Sequence, residues 1–129
     1  MAKVRRLAQS EWTVMRVFWS HPAPMPASEV IEILSGKKAW HPRTIKTFLG
    51  RLVRKGALGF RARGKAYFYF ARVSEAACVM AEGDSFLRKC FDGALQPMLV
   101  HFMQYYKLSP ADVEELERLI EQERIQERR

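Results

Sequence analysis

The sequence predicts a mostly α-helical protein with one small β-hairpin, divided into two parts at residues 1–73 and 74–129. Apolar residues recur at helical spacing up to Lys55, alternate for a short stretch, and return to helical spacing after Ser74. The charge divides at the same place. Residues 1–73 contain 15 Lys and Arg against 3 Asp and Glu, whereas residues 74–129 contain 7 against 11. The two parts are therefore expected to have different partners.

The stretch from Ile33 to Ser74 is the most informative feature of the chain. It runs for 42 residues without Asp or Glu and holds 11 of the 22 Lys and Arg. Protein surfaces normally mix both signs, and a long stretch of one sign repels itself unless an anion offsets it. The pattern favours binding to a polyanion, and a solvated basic surface is the alternative.

Two short helices are predicted first. Apolar side chains at helical spacing predict a helix over Glu11–Trp19. Prolines at 22, 24 and 26 then break it, because proline lacks the amide donor and fixes φ. A second helix is predicted over Ser28–Ser35, with Val30, Ile31 and Leu34 facing a core.

The third helix is predicted to begin at Pro42, a favoured first-turn residue, and to end near Gly56, a typical stop signal. At about 100° per residue, its apolar residues share one side and its basic residues the other. The basic side carries Arg43, Thr44, Lys46, Thr47, Arg51 and Arg54. Such a helix packs one face on a core and presents a cationic face, with short hydroxyl groups between the charges, to a partner.

A β-hairpin is predicted after the third helix. Residues 58–70 alternate between their two faces, and the break in the pattern puts Arg63, Gly64 and Lys65 at the tip. Contact with an anion explains the charges of Arg61, Arg63 and Lys65, and protection of a strand edge is the alternative. Three helices followed by a basic hairpin is the order of a winged helix-turn-helix, whose third helix enters the major groove of DNA.

The second part is predicted to contain three helices with wide apolar faces. The signals are helical spacing over Ser74–Cys90, an apolar stripe from Leu95 to Tyr106, and a serine cap at Ser109 followed by the first-turn proline Pro110. About 50 residues are few for closing a core alone, so a second copy of the chain is expected to complete it. The predicted dimer interface comprises Phe86, Leu87, Phe91, Leu95, Met98, Leu99, Phe102, Met103, Tyr106, Leu116 and Ile120.

The two cysteines and the apolar runs bear on the compartment. Cys78 and Cys90 are predicted to be buried structural thiols, since two cysteines make no disulfide framework and 12 residues of helix separate them by about 18 Å. Redox sensing is the alternative. No apolar run reaches the roughly 20 residues of a membrane span, and residues 1–9 lack the apolar core of a secretion signal. We expect a cytoplasmic protein without membrane insertion.

Other function classes find less support. No glycine-rich phosphate loop, nucleophile–base motif or carboxylate cluster marks the cationic part, so we predict no enzyme, no catalytic residue and no cofactor. His21, His41 and His101 lack metal-ligand spacing, so no metal site is predicted. The three tryptophans are predicted to pack on the core, which leaves an RNA binder without stacking platforms. A winged-helix module that binds protein remains the alternative to a DNA-binding protein.

Four segments share their order and spacing with a known family. They are Glu11-Trp12-Thr13-Val14-Met15 with Trp19; Trp40-His41-Pro42-Arg43-Thr44-Ile45-Lys46-Thr47; Leu49-Gly50-Arg51-Leu52-Val53-Arg54-Lys55-Gly56-Ala57-Leu58; and Ser85-Phe86-Leu87 with Phe91, Gly93, Leu95 and Phe102. With them the chain resembles the penicillinase-repressor family (BlaI, MecI and CopY types) over roughly Leu7 to Glu121. The resemblance implies an N-terminal winged helix, a C-terminal helical dimerisation domain, and repression of transcription by a homodimer on double-stranded inverted repeats containing TACA and TGTA.

The same resemblance assigns Pro42–Arg51 as the recognition helix and Arg63–Lys65 as the wing. Arg43, Thr44, Lys46 and Thr47 are expected to read base edges, because arginine reaches guanine O6 and N7 and threonine contacts the thymine methyl group or forms hydrogen bonds. The later arginines and the wing are expected to hold phosphates, which position a protein without reading sequence. The predicted DNA-binding residues are Pro42, Arg43, Thr44, Lys46, Thr47, Arg51, Arg54, Arg63, Gly64 and Lys65.

The chain departs from that family at three places. No Cys follows Cys90, so the paired Cys-x-Cys motifs of copper-responsive members are absent. Members that respond to β-lactams are cut between Asn and Phe by a membrane metalloprotease receptor. The matching bond here is His101-Phe102, which is the candidate cleavage site, and such a receptor is a candidate partner. His41 replaces the usual Ser before the helix proline and is expected to weaken the cap or alter a phosphate contact.

Overall fold

A computed structural model describes residues 5–128 of the chain. The chain forms two compact units, Met1–Ser85 and Phe86–Arg129. The predicted domain boundary between residues 73 and 74 falls just before a helix, Glu75–Phe91, and it stays a prediction.

The first unit contains three helices and a small sheet. In chain order its elements are α1 (Gln9–Ser20), β1 (Met25–Pro26), α2 (Ala27–Ser35), α3 (Pro42–Arg54), β2 (Leu58–Arg63) and β3 (Ala66–Ala71). The strands are antiparallel in the order β1-β3-β2. The predicted fold class, mostly α with a small hairpin after a helix-turn-helix, is confirmed.

Strand β1 is the element that the sequence did not predict. Met25 pairs with Tyr69 and Pro26 with Phe68. The prolines end α1 as predicted, but an edge strand tolerates proline because the missing amide donor can face away from the neighbouring strand. The segment that breaks the helix therefore also extends the sheet.

The core of the first unit lies between the helices and the sheet. Ile45, Leu49 and Leu52 of α3 are fully buried, as the predicted apolar stripe requires, and Phe48 and Val53 are half-buried at its margin. The buried apolar residues are Leu7, Val14, Met15, Val17, Phe18, Met25, Val30, Leu34, Ile45, Leu49, Leu52, Ala57, Leu58 and Cys78. This packing leaves the opposite face of α3 in solvent.

The end of α3 fixes where the hairpin begins. Gly56 has a φ of +79°, a conformation that favours glycine. Its amide donates to the Val53 carbonyl at 3.0 Å, and the Ala57 amide donates to the Leu52 carbonyl at 2.9 Å. These two bonds are the Schellman pattern of a helix C-terminus. Because Ala57 is buried, the chain re-enters the core there and β2 starts one residue later.

The remaining helices are α4 (Glu75–Phe91), α5 (Leu95–Tyr105) and α6 (Pro110–Glu127). The predicted start of α6 is confirmed by a capping box. The Ser109 Oγ accepts from the Asp112 amide at 3.0 Å, and the Asp112 Oδ2 accepts from the Ser109 amide at 3.2 Å. No described residue of α5 or α6 is buried.

The two cysteines lie in different environments on α4. Cys78 is buried in the core of the first unit, and this burial raises the pKa of its thiol. Cys90 is exposed. The prediction of two buried thiols is therefore wrong for Cys90, which lies in a unit whose helices bury little of their own surface.

Candidate nucleic-acid interface

The first turn of α3 is capped by a histidine ring. The His41 Nδ1 accepts from the Arg43 amide at 3.1 Å, and Pro42 occupies the first helical position. The ring nitrogen thus serves as acceptor for one of the free amides of the first turn. Whether His41 weakens this cap relative to Ser, or alters a phosphate contact, stays a prediction.

The predicted reading residues of α3 lie mainly on its solvent side. Arg43, Lys46 and Thr47 are exposed, and Thr44 is half-buried. The Thr47 hydroxyl donates to the Arg43 carbonyl at 3.0 Å. Its proton is therefore engaged with the helix backbone, and the hydroxyl oxygen can still accept a hydrogen bond.

Two further cations follow on the same helix. Arg51 and Arg54 are exposed near its C-terminus. The Arg51 guanidinium carbon lies 6.0 Å from the centre of the Phe48 ring. No acidic residue occurs from Ile33 to Ser74 to neutralise these charges. The exposed side of α3 is therefore a cationic surface along its whole length.

A lysine and two aromatic rings meet where the chain enters α3. Trp40 and Phe48 meet edge to face with their centres 5.1 Å apart, and the Lys38 Nζ lies 5.8 Å from the centre of the Trp40 ring. Lys38 is not among the residues that the sequence predicts to bind DNA, yet it lies just before α3 on the same cationic stretch. Its signal was the Lys-x-Trp spacing beside the helix start. The prediction that Trp40 packs on the core is confirmed, and it also holds for Trp12 and Trp19.

The hairpin tip has the predicted geometry. Arg63 is the last residue of β2 and pairs with Ala66, so Gly64 and Lys65 form a two-residue turn. Gly64 has a φ of +60°, the conformation that such tight turns require at this position. Arg63 and Lys65 are both exposed, and the Arg63 guanidinium carbon lies 5.5 Å from the centre of the Phe68 ring.

A buried ion pair ties the end of α3 to the start of α1. The Lys55 Nζ lies 2.6 Å from the Glu11 Oε1 and 3.0 Å from the Arg6 carbonyl oxygen. The same carboxylate oxygen accepts from the Ala8 amide at 2.7 Å. Glu11 is 1% exposed, so the carboxylate depends on these partners. Sequence reasoning missed this pair, although Glu11 precedes Met15 by one helical turn on the buried stripe.

The second unit presents apolar side chains to solvent. Leu95, Leu99, Met103 and Tyr106 are each about half exposed or more, whereas Met98 and Phe102 are half-buried. An open apolar groove of about 730 Å³ runs between α5 and α6. Its apolar lining is Leu99, Phe102, Met103, Tyr106, Leu108, Val113, Leu116, Leu119 and Ile120.

The predicted cleavage position lies inside α5 and beside an aromatic cluster. The Phe102 ring lies 5.9 Å from Phe86 and 6.3 Å from Phe91, centre to centre, and His101 lies 5.9 Å from Phe91. Leu87, the remaining predicted interface residue of α4, is half-buried. The end of α4 and the middle of α5 are thus joined by rings.

Within residues 5–128, no three His, Cys, Asp or Glu side chains gather as a metal site would require. None of the helices described is long and apolar enough to cross a membrane.

The fold and this surface define a winged-helix domain with a cationic third helix and hairpin tip, followed by a helical unit with an open apolar face. The chain belongs to the penicillinase repressor family, whose model matches residues 7–122. This confirms the resemblance drawn from the four sequence segments.

Relatives and solved structures agree with this family. The chain is 33% identical over 122 residues to the penicillinase repressor of Bacillus licheniformis, covering 95% of this chain and 94% of the relative. It is 27% identical over 118 residues to the methicillin resistance regulatory protein MecI of Staphylococcus aureus strain N315, covering 92% and 95%.

Two solved structures resemble the first unit. The DNA-binding domain of the repressor BlaI matches with a TM-score of 0.53 and 36% identity, covering 60% of this chain and 93% of that chain. The monomeric form of Bacillus licheniformis BlaI in complex with the blaP half-operator matches with a TM-score of 0.52, 36% identity and the same coverage.

Proposed function

We propose that this protein is a transcriptional repressor that binds an inverted-repeat operator in double-stranded DNA as a homodimer. One observation carries the proposal: the exposed side of α3 and the hairpin tip lie in a single stretch with 11 basic and no acidic residues. A related protein of the same fold, BlaI, has been solved on a half-operator. No catalytic role is proposed, and a soluble regulator of this kind acts in the cytoplasm.

The proposed roles divide along α3. Arg43, Lys46 and Thr47 lie near the helix N-terminus, which in helix-turn-helix proteins contacts base edges. Arg51 and Arg54 lie at the other end of the helix and, with Arg63 and Lys65 of the wing, hold phosphates. Base contacts supply sequence preference and phosphate contacts supply affinity and salt dependence.

The second unit is the proposed dimerisation domain. Its groove and its half-exposed Leu, Met, Phe and Tyr side chains form an apolar surface larger than the scattered exposed residues of a typical monomer. A second copy covers such a surface in both protomers at once, because a two-fold interface is self-complementary. The resulting two-fold symmetry matches an inverted repeat in DNA.

Release from DNA is proposed to follow loss of this interface. A cut at His101-Phe102, made by a membrane metalloprotease receptor, divides α5 and thereby the dimerisation surface. The regulated genes are then those of β-lactam or cell-envelope stress. Mass spectrometry of the protein from stressed cells tests this route: transcription that rises while the chain stays intact excludes it.

The DNA-binding proposal is tested by a mobility-shift comparison. An inverted repeat with TACA and TGTA half-sites should bind at least tenfold more tightly than a scrambled duplex or an RNA of the same length. Equal binding to all three would leave only a non-specific cationic surface. No binding to any of them would favour the alternative, a winged-helix module that binds protein.

A further inference from the structure

The two faces of the β2–β3 hairpin differ in chemistry. Side chains alternate between the faces of a strand. One face continues from the buried Leu58 to Phe60, Tyr67 and Tyr69, whose rings lie 4.9 and 6.1 Å from that of Phe60. On that face Tyr69 packs against the core, whereas Phe60 and Tyr67 are 48% and 55% exposed. The opposite face carries arginines and phenylalanines, and its two phenyl rings are absent from the core cluster of the described residues.

Each arginine of the opposite face lies over a phenyl ring. The Arg61 guanidinium carbon is 5.5 Å from the centre of the Phe70 ring, and that of Arg63 is 5.5 Å from the centre of the Phe68 ring. In the strand register Arg61 is directly opposite Phe68. Both contacts are therefore diagonal, which long side chains reach across paired strands. The two diagonal contacts place the two guanidinium groups and the two phenyl rings alternately along this face of the hairpin.

Gly59 makes room for this arrangement. It pairs with Phe70 in the register, and a Cβ atom at Gly59 would lie 2.6 and 2.9 Å from two atoms of the Phe70 ring. The same Cβ would lie 3.0 Å from the Arg72 Cδ. The Phe70 ring thus lies against the bare backbone of β2, where any larger residue would displace it.

We propose that Phe68 and Phe70 are positioning residues that hold the guanidinium groups of Arg61 and Arg63 ready to contact DNA phosphates. This rests on the proposed function, and it adds Arg61 to the phosphate contacts assigned from the sequence. A ring covers one face of the planar guanidinium and leaves the N–H groups in its plane for phosphate oxygens. A side chain that is already ordered loses less entropy when it binds.

The test compares leucine with tyrosine at each ring. Phe70→Leu and Phe68→Leu remove the aromatic face, whereas Phe70→Tyr and Phe68→Tyr keep it. Phe60→Leu is the matched control, because it removes a half-exposed ring from the same hairpin on the face without arginines. Affinity for the inverted-repeat duplex and for a scrambled duplex is measured by fluorescence anisotropy over a salt series, with thermal unfolding in parallel.

The leucine variants should bind each half-site about two- to fivefold more weakly, the range that a loss of an exposed cation–π contact gives. The tyrosine variants and Phe60→Leu should bind as the parent does. Arg61→Ala should lower the slope of log K against log salt by about one. In the Phe70→Leu background, Arg61→Ala should cost less than it does alone, because both changes act through one guanidinium group. Gly59→Ala should resemble Phe70→Leu.

Three results would overturn the inference. They are equal losses for Phe70→Leu and Phe60→Leu, strictly additive losses for the pair at 61 and 70, or an unchanged salt slope in Arg61→Ala. Failure of the proposed function looks different. If the protein lacks operator preference, the scrambled duplex still reports the phosphate contacts, and the ring-dependent losses remain measurable there.

Discussion

Replacing Lys55 by methionine is expected to destabilise the chain by about 3 kcal/mol. The change leaves the Glu11 carboxylate, 1% exposed, without its counter-charge. Removing one partner of a buried ion pair typically costs about 3–5 kcal/mol. The lower end applies here, because the Lys55 side chain is 29% exposed and the Ala8 amide still donates to the carboxylate. The Glu11 Oε2 accepts no hydrogen bond within the described residues, so no second partner compensates.

The assay is thermal and chemical unfolding of the full chain. About 3 kcal/mol corresponds to a fall in Tm of roughly 12–24 °C for a domain of this size. Arg6→Met is the matched control. Its ion pair with Glu82 is 3.4 Å long with side chains 66% and 40% exposed, so it should cost under about 1 kcal/mol. The Arg6 carbonyl that accepts from Lys55 is unaffected by that substitution.

The double variant Glu11→Leu, Lys55→Met separates charge burial from packing. Removing both charges should recover most of the loss and leave about 1 kcal/mol for the unpaired Ala8 amide. A difference of less than about 1 kcal/mol between the free energies of unfolding of Lys55→Met and Arg6→Met would refute the reasoning. It would mean that the carboxylate is not dependent on the lysine.

Three further outcomes are expected. Arg43→Ala should cost about 1–3 kcal/mol of binding free energy per half-site and relax base preference. Lys65→Ala should weaken binding to all duplexes alike and lower the slope of log K against log salt by about one. Equal behaviour of the two variants in a binding series would contradict the division of roles. Deleting the residues after Ser85 should leave a folded, monomeric first unit. It should bind the full operator at least about 100-fold more weakly, because the second half-site no longer gains from being linked to the first. Analytical ultracentrifugation measures the oligomeric state, and fluorescence anisotropy measures the affinity. In the native protein at pH 8 iodoacetamide should label Cys90 and spare Cys78, since burial raises the Cys78 thiol pKa and so reduces its thiolate; labelling of both at equal rates, read by mass spectrometry, would contradict this.

The sequence predicted those parts of the fold that depend on local periodicity. Amphipathic spacing and glycine stops located the start of α3 at Pro42, placed its end two residues beyond the observed Arg54, and placed the hairpin tip at Gly64. The helix after Ser74 was also predicted, although Gly83 weakened its signal, because a glycine inside a long helix costs only about 1 kcal/mol. The family resemblance came from the same segments and is confirmed by the match over residues 7–122.

Features that depend on pairing between distant segments were missed. Strand β1 exists because Met25 meets Tyr69 across the chain, and two residues carry no periodicity. The Glu11–Lys55 pair joins residues 44 positions apart. The contact between the Arg61 guanidinium and the Phe70 ring requires the exact strand register. A shift of one residue would put the two side chains on opposite faces of the sheet. Each needs tertiary geometry that residue spacing does not determine.

The first unit has a buried core of its own, whereas the helices α5 and α6 of the second unit do not. Every buried apolar residue described lies at or before Cys78, so the winged helix needs no partner to fold. None of the described residues of α5 and α6 is fully buried, so the stability of these helices depends on what covers them. A cut at His101-Phe102 would leave α5 as two pieces, each shorter than the roughly 12 residues that an isolated helix needs. In the proposed dimer, the first unit would then stay folded but lose its link to the second copy. Operator occupancy would therefore respond to the state of α5 without any change in the residues that contact DNA.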